Sequence, residues 1–97
     1  MAEHATVIRV VRYVPAQGKR DEVQKRLQDG AQQIREMEGC FGAQICSSNQ
    51  SPDTLVAVSR WASQAALDRF LNESSSTRGQ LAELLSGAPV QEHLTSL

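Results

Sequence analysis

The stretch Asp53–Trp61, Asp-Thr-Leu-Val-Ala-Val-Ser-Arg-Trp, runs directly into Ala62–Leu71, Ala-Ser-Gln-Ala-Ala-Leu-Asp-Arg-Phe-Leu. The first half predicts a strand, because a short apolar run follows a Ser-Pro-Asp turn. The second half predicts a helix that has Ser63 as its N-cap and is apolar from Ala66 onward. The only tryptophan of the chain lies at the joint between the two. A strand that passes straight into a helix is therefore the unit around which the other elements are arranged.

Similar patterns recur on both sides of this unit. Alternating or short apolar runs predict three further strands, at Thr6–Val14, Phe41–Ser47 and Val90–Leu97. Apolar residues spaced by three and four predict an amphipathic helix from Arg20 to about Met37. Within that helix we expect Gly30 to allow a close approach to the sheet. A serine-rich break separates the helix after Ser63 from a second helical piece over residues 77–86.

The order strand, helix, strand, strand, helix, strand is that of the ferredoxin-like arrangement. It predicts an α+β fold, with a four-stranded antiparallel sheet, as a single domain over residues 1–97. Right-handed crossovers place the first and third strands at the centre and the second and fourth at the edges. Composition agrees, because the two strands predicted to be central are the more apolar ones.

Two helices can cover only one face of such a sheet. The other face would expose apolar residues of the central strands, and soluble monomers rarely expose a large contiguous apolar patch. We therefore predict a homodimer in which two sheets pack face to face about a two-fold axis. The alternative is a monomer whose apolar patch is screened by the aliphatic stems of Arg9 and Arg60.

Composition excludes several classes of function. The net charge is −1 and no basic stripe is visible, so nucleic-acid binding is not expected. No apolar stretch is long enough to span a membrane, and no signal peptide is recognisable, which predicts a soluble cytoplasmic protein. Cys40 and Cys46 are expected to be reduced thiols on a half-buried strand. The chain has no grouping of cysteines and histidines at zinc-ligand spacing, so no metal is predicted.

Three stretches resemble a known family. Val58–Leu71 resembles the strand-into-helix signature of the antibiotic biosynthesis monooxygenase domain, and Val14–Gly18 and Met37–Gly42 resemble its other turns. The resemblance covers nearly the whole chain. It implies a dimeric α/β barrel of two ferredoxin-like subunits, each with a pocket between its helices and its sheet. It also implies oxygenation of aromatic or quinol substrates without metal or flavin, or haem degradation, or processing of small signalling molecules.

The chain departs from the haem-degrading members of that family. The resemblance places Val10 where those members have asparagine, and Phe70 where they have tryptophan. Gly79 and Gln80 stand where their haem-ligating histidine is found. Haem degradation is therefore not expected. Many other members carry histidine at the position of Phe70, which cannot transfer a proton.

Candidate site residues come from the strand faces. Trp61 shares a face with Ser59, and together with Phe70 it predicts the wall of a pocket for a flat aromatic ligand. The simpler interpretation of Trp61 is a core anchor that closes the gap between sheet and helix. Arg12 shares its strand face with Val10. If that face looks at the helices, Arg12 holds a phenolate or carboxylate at the pocket rim; otherwise it is an exposed strand-end residue.

Other candidates are weaker. Tyr13 is assigned to the dimer face, with its hydroxyl at the rim. His4 and His93 are the only histidines of the chain, and each is more typical of a solvent-facing position. The sequence thus favours a cofactor-independent oxygenase acting on a small aromatic or quinol, with Arg12 and Trp61 as catalytic residues and Val10, Ser59 and Phe70 in the binding pocket. A non-catalytic binding or scaffold dimer of the same fold is the main alternative, and an isomerase or lyase a third.

Overall fold

The computed structural model describes residues 6–97, and His4 lies outside them. These residues form four strands and three helices. Their bounds are β1 Val7–Tyr13, α1 Arg20–Ile34, β2 Cys40–Ser47, β3 Leu55–Trp61, α2 Gln64–Glu73, α3 Ser75–Ala82 and β4 Val90–Thr95. The strands make one antiparallel sheet in the order β2-β3-β1-β4. The ferredoxin-like arrangement and the central positions of β1 and β3 are confirmed.

The joint between β3 and α2 is formed as the sequence predicts. The Ser63 side chain accepts a hydrogen bond from the Ala66 backbone N–H at 3.2 Å, so it is the N-cap of α2. The backbone N–H of Ala62 donates to the Gly39 carbonyl at 2.7 Å, which joins this corner to the loop before β2. The entry to β2 and the start of α2 are thereby fixed against each other.

The helix ends differ slightly from the sequence prediction. α1 ends at Ile34 rather than near Met37, because residues 34–37 continue in tighter three-residue turns. The break between α2 and α3 is the single residue Ser74, so α3 begins at Ser75 rather than at Thr77. No helix of the described residues is both long and apolar enough to cross a membrane.

All three helices pack against the same face of the sheet. Val23 and Leu27 of α1 and Leu81 of α3 form one buried cluster with Val11, Tyr13 and Leu55. Leu67 of α2 forms a second cluster with Val7 and Trp61. In the register of β1 and β3, Val7 is opposite Trp61 and Tyr13 is opposite Leu55. The face of β1 that looks at the helices is therefore Val7, Arg9, Val11 and Tyr13.

This orientation corrects two sequence predictions. Tyr13 is buried beneath the helices, with 5% of its surface exposed, and does not lie on the outer face. Arg12 is exposed and pairs in register with Val56, on the side of the sheet away from the helices. Both follow from the alternation of side chains along a strand, once the buried residues of β1 fix which face is inward.

One further expectation, on Gly30, is also corrected. A Cβ atom at Gly30 would meet nothing within 4 Å, so this glycine does not allow a close helix–sheet approach. In β2, a register shift between Cys40 and Gly42 leaves Phe41 as an extra residue, and 66% of its surface is exposed. Cys40 and Cys46 are free and half-buried, as the sequence predicts.

Candidate functional site

A cavity of about 530 Å³ lies between the sheet and the helices. This volume falls within the range of about 300–1,000 Å³ that is typical of small-molecule sites. Its lining is mainly apolar and includes Leu27, Ala31 and Ile34 of α1, Ile45 and Ala57 of the sheet, and Leu81 of α3. Gly30 also borders it, so the missing side chain of that residue leaves space in the cavity. The cavity is therefore large enough for an aromatic ligand.

Phe70 forms the aromatic wall of the cavity, and Trp61 supports it from behind. The two rings stack with centroids 5.2 Å apart and an interplanar angle of 20°. Trp61 is completely buried, and its Nε1–H donates to the Ser59 hydroxyl at 2.9 Å. Phe70 and Ser59 line the cavity, whereas Trp61 does not. Trp61 thus holds the Phe70 ring in place rather than presenting its own surface to a ligand.

Arg9 is a buried cation at the cavity wall. Only 6% of its surface is exposed, and its guanidinium carbon lies 5.8 Å from the centroid of the Phe70 ring. Its Nε donates to the Gln91 side-chain oxygen at 3.2 Å. Within residues 6–97, no carboxylate lies within 4 Å of this guanidinium. Burial lowers the pKa of Arg9, and the positive charge of Arg78 acts in the same direction, against the effect of Tyr13.

Tyr13 borders the same cavity beside Arg9. Burial raises the pKa of its hydroxyl above the ordinary value of 10.0, while the charge and a hydrogen bond of Arg9 partly oppose that rise. The hydroxyl is therefore neutral near pH 7. Because a guanidinium has no acceptor atom, the Tyr13 hydroxyl cannot donate its proton to Arg9, and that proton stays available for a ligand.

Arg78 of α3 is a second cation at the cavity wall. It is half-buried, its Nη2 donates to the Leu71 carbonyl at 2.6 Å, and its Nε donates to the Ser74 hydroxyl at 3.1 Å. These bonds span the break between α2 and α3 and fix the guanidinium. In the described part of the chain, no acid lies within 4 Å of it.

The residues that the sequence singled out separate into two groups. Ser59 and Phe70 line the cavity, and Trp61 contacts Phe70 from behind. Val10 and Arg12 do not line it, since along β1 both alternate with the inward residues Arg9, Val11 and Tyr13. His93 is exposed on β4, opposite Arg9 in the register.

Sequence reasoning missed Arg9, Tyr13 and Arg78 as cavity residues. For Arg9 there was a partial signal, because it is the one charge on a strand face otherwise made of Val7, Val11 and Tyr13; Arg12 is the one charge on the opposite face, so only knowledge of which face is buried distinguishes them. A lone arginine on a buried face needs a partner or a ligand. Arg78 gave no such signal, since an arginine in a short helix is usually exposed. Among residues 6–97, no three His, Cys, Asp or Glu side chains come together as a potential metal site.

The chain is similar to one family and to several solved structures. The family model described as antibiotic biosynthesis monooxygenase matches residues 6–80. The structure of Rv0793 from Mycobacterium tuberculosis superimposes with a TM-score of 0.87 at 24% identity, over 95% of each chain. A conserved protein from Methanosarcina mazei Go1 superimposes with a TM-score of 0.89 at 14% identity, over 98% of this chain and 96% of that chain. At these identities the structural likeness shows the fold alone. No curated protein sequence matches the chain significantly.

Proposed function

The chain belongs to the antibiotic biosynthesis monooxygenase family, and from that premise we propose that its cavity oxygenates a small aromatic or quinol substrate. The cavity lies between the helices and the sheet. Its volume and its aromatic wall suit a flat ring. The sequence predicts Arg12 as the arginine that binds the anion. Arg12 lies on the face of the sheet away from the cavity, so Arg9 has this role in the proposal.

The observation that carries the proposal is a buried, uncompensated guanidinium beside an aromatic ring. Arg9 is 6% exposed and lies over Phe70, with no carboxylate partner in residues 6–97. A positive charge in a site of low dielectric stabilises an anion far more than it would in water. A phenol bound against Arg9 would lose its proton more readily, since its ionised form is stabilised.

Deprotonation is the step that a substrate of this kind needs before it reacts with dioxygen. An electron-rich phenolate or enolate transfers electrons to dioxygen without help from a metal. For a quinol, one oxygen atom enters at a ring carbon to give a hydroxyquinone and the other leaves as water, so the quinol itself supplies the four electrons that reduce dioxygen. For a ring methylene that becomes a carbonyl, the carbon loses two hydrogens, one oxygen atom enters the product and the other leaves as water. In this proposal Arg9 stabilises the anion, Tyr13 donates a hydrogen bond to an oxygen atom, and Phe70 orients the ring.

Oxygen consumption with a panel of hydroquinones and anthrones tests the proposal. We expect uptake above the uncatalysed background, and we expect Arg9→Gln to lower kcat/KM by about a hundredfold or more, as removal of an anion-stabilising donor does elsewhere. Arg12→Gln is the matched control, because it removes the same charge from the other face of the same strand. Uptake no greater than that of buffer would overturn the proposal, and equal loss in the two variants would remove Arg9 from it.

A non-catalytic binding protein of the same fold is the second candidate. It is favoured by the chemistry of the wall. Phe70 occupies the position at which many members of the family that the chain resembles have histidine, and no histidine of residues 6–97 lines the cavity. The two candidates differ in turnover. Saturable binding of a quinol without oxygen uptake or product formation supports the binding protein.

A further inference from the structure

Two buried or half-buried cations border the cavity without an acidic partner in residues 6–97, and a single ionised phenol would pair with only one of them. Five charged side chains border it: Arg9, Arg26, Asp29, Glu73 and Arg78. Arg26 pairs with Glu22 at 3.5 Å and Asp29 pairs with Lys25 at 2.9 Å, so these two are compensated along α1. Glu73 is exposed and, within residues 6–97, has no cation within 4 Å. Arg9 and Arg78 are the two buried or half-buried charges that remain.

These two cations differ in how deeply they lie. Arg9 is 6% exposed, whereas Arg78 is half-buried on α3. A phenol is neutral in water and loses little hydration when it enters a deep site. A carboxylate is ionised in water and strongly hydrated, so it binds at lower cost where solvent still reaches. The deeper cation therefore suits a phenol that ionises on binding, and the shallower one suits a group that is already ionised.

Arg78 is also prepared to bind such a group. Its Nε and Nη2 are held by Ser74 and Leu71, which fixes the plane of the guanidinium before any ligand arrives. A guanidinium has five N–H donors, so others remain free for a ligand. A cation that is already fixed loses little conformational entropy on binding an anion.

We propose that the substrate is an aromatic acid: a hydroxylated ring that lies against Phe70, with its phenol at Arg9 and a carboxylate at Arg78. The inference deepens the proposed function, since it concerns the same cavity. It makes Arg78 a specificity-determining residue and Arg9 the residue that acts on the reacting oxygen. A neutral quinol of the same ring size would leave Arg78 without a partner.

Gentisate and hydroquinone are matched probes, because they differ only by the carboxylate. Their affinities are compared under anaerobic conditions by calorimetry, and by the fluorescence of Trp61, the only tryptophan, which stacks on Phe70. We expect gentisate to bind about tenfold tighter or more, as a charge-assisted hydrogen bond would give. We expect Arg78→Gln to remove most of that preference. Arg69→Gln is the control, because Arg69 is an exposed arginine of α2 that does not line the cavity.

Equal affinities of the two probes for the wild-type protein would overturn the inference, and so would a preference that survives in a folded Arg78→Gln variant. If that variant does not fold, Arg78→Lys is expected to retain part of the preference, and the wild-type comparison still decides. The inference and the proposed function fail separately. A gentisate preference without oxygen uptake refutes the oxygenase alone, whereas equal turnover of both probes with equal affinity refutes the aromatic-acid specificity alone.

Discussion

Tyr13 reports on the electrostatics of the cavity, because it is the only tyrosine of the chain and is 5% exposed. Burial raises the pKa of its hydroxyl above 10.0, and the neighbouring charge of Arg9 opposes the rise. The two effects belong to different residues and can be separated by substitution. The effect of the buried Arg9 charge on the pKa of Tyr13 can therefore be measured even before a ligand is known.

We expect the tyrosinate absorbance of the folded protein to titrate above pH 10, and at a higher pH still in Arg9→Gln. A raised pKa in the folded state means that the folded protein holds this proton more tightly than the unfolded chain. The stabilising contribution is therefore fully present below the pKa of the unfolded chain and is lost as pH rises through the folded pKa. The pH dependence of urea unfolding checks this, with Tyr13→Phe as the control. If the tyrosinate absorbance titrated at a lower pH in Arg9→Gln than in the wild type, the charge of Arg9 would not oppose the rise in the Tyr13 pKa, and the prediction would be wrong.

The two arginines of β1 mark the limit of inference from sequence at this scale. Alternation correctly separates Arg9, with Val7 and Val11, from Arg12, with Val10. It does not say which set looks at the helices, because each face of β1 has several apolar residues and one arginine. No tight hairpin joins β1 to β3, so the sequence gives no anchor for their register. Only the packing of α1 and α2 resolves the choice.

At the scale of elements, the corner of Gly39 and α2 positions the aromatic wall. Gly39 has φ +86°, and a Cβ atom there would lie 2.7 Å from the Cβ of Ala66. Its carbonyl accepts the hydrogen bond from Ala62 that precedes α2. Trp61 and Phe70 lie on either side of this corner. A shift of α2 relative to β3 would therefore move the Phe70 ring and change the shape of the cavity.

Gly39→Ala is expected to destabilise the protein by about 1–3 kcal/mol, the usual cost of a strained backbone conformation, with the contact to Ala66 adding to it. Gly30→Ala is the matched substitution, because Gly30 is helical and a Cβ there meets nothing within 4 Å. We expect that change to stabilise the protein by about 0.5–1 kcal/mol through helix propensity. Denaturant unfolding of both variants measures the difference. Equal stability of the two variants would show that the Gly39 corner is not constrained.

The starts of α2 and α3 show which local sequence signals are sufficient to predict where a helix begins. Ser63 is the N-cap of α2 as predicted, because a serine before an apolar helical pattern is a local signal. The start of α3 was missed by two residues, since Ser74, Ser75 and Ser76 are all compatible with a helix start. The hydrogen bonds of Arg78 to Leu71 and Ser74 span this break. Contacts of that kind are not visible in a serine-rich sequence.

At the scale of the molecule, the face of the sheet away from the helices is the unexplained surface. All three helices of the described residues pack on the other side. The outward face includes half-buried Ile8, Val10, Val56 and Val58 of the central strands, and Val90 of β4 is 68% exposed. Arg12 and Arg60 lie at its exposed positions, and Glu92 is opposite Val10 in the register. The face is apolar at its centre and has charges of both signs, which suits contact with a second copy of itself.

We expect the protein to sediment at about twice its monomer mass of 10.6 kDa at micromolar concentration, with the two outward faces in contact. Val58→Glu places a charge near the centre of that face, opposite the uncharged Val10 and Gln44, where a dimer would bury it without a positive residue across the strand, so we expect the variant to sediment as a folded monomer. Gln32→Glu is the control, because it makes the same change of charge at an exposed position of α1.

A stable interface of this kind buries about 1,200–2,000 Å² in total, which the two central strands and their neighbours can supply only if the faces meet over most of their area. Circular dichroism distinguishes loss of the dimer from loss of the fold. A wild-type protein that sediments as a monomer would leave the apolar face in water and would refute the dimer.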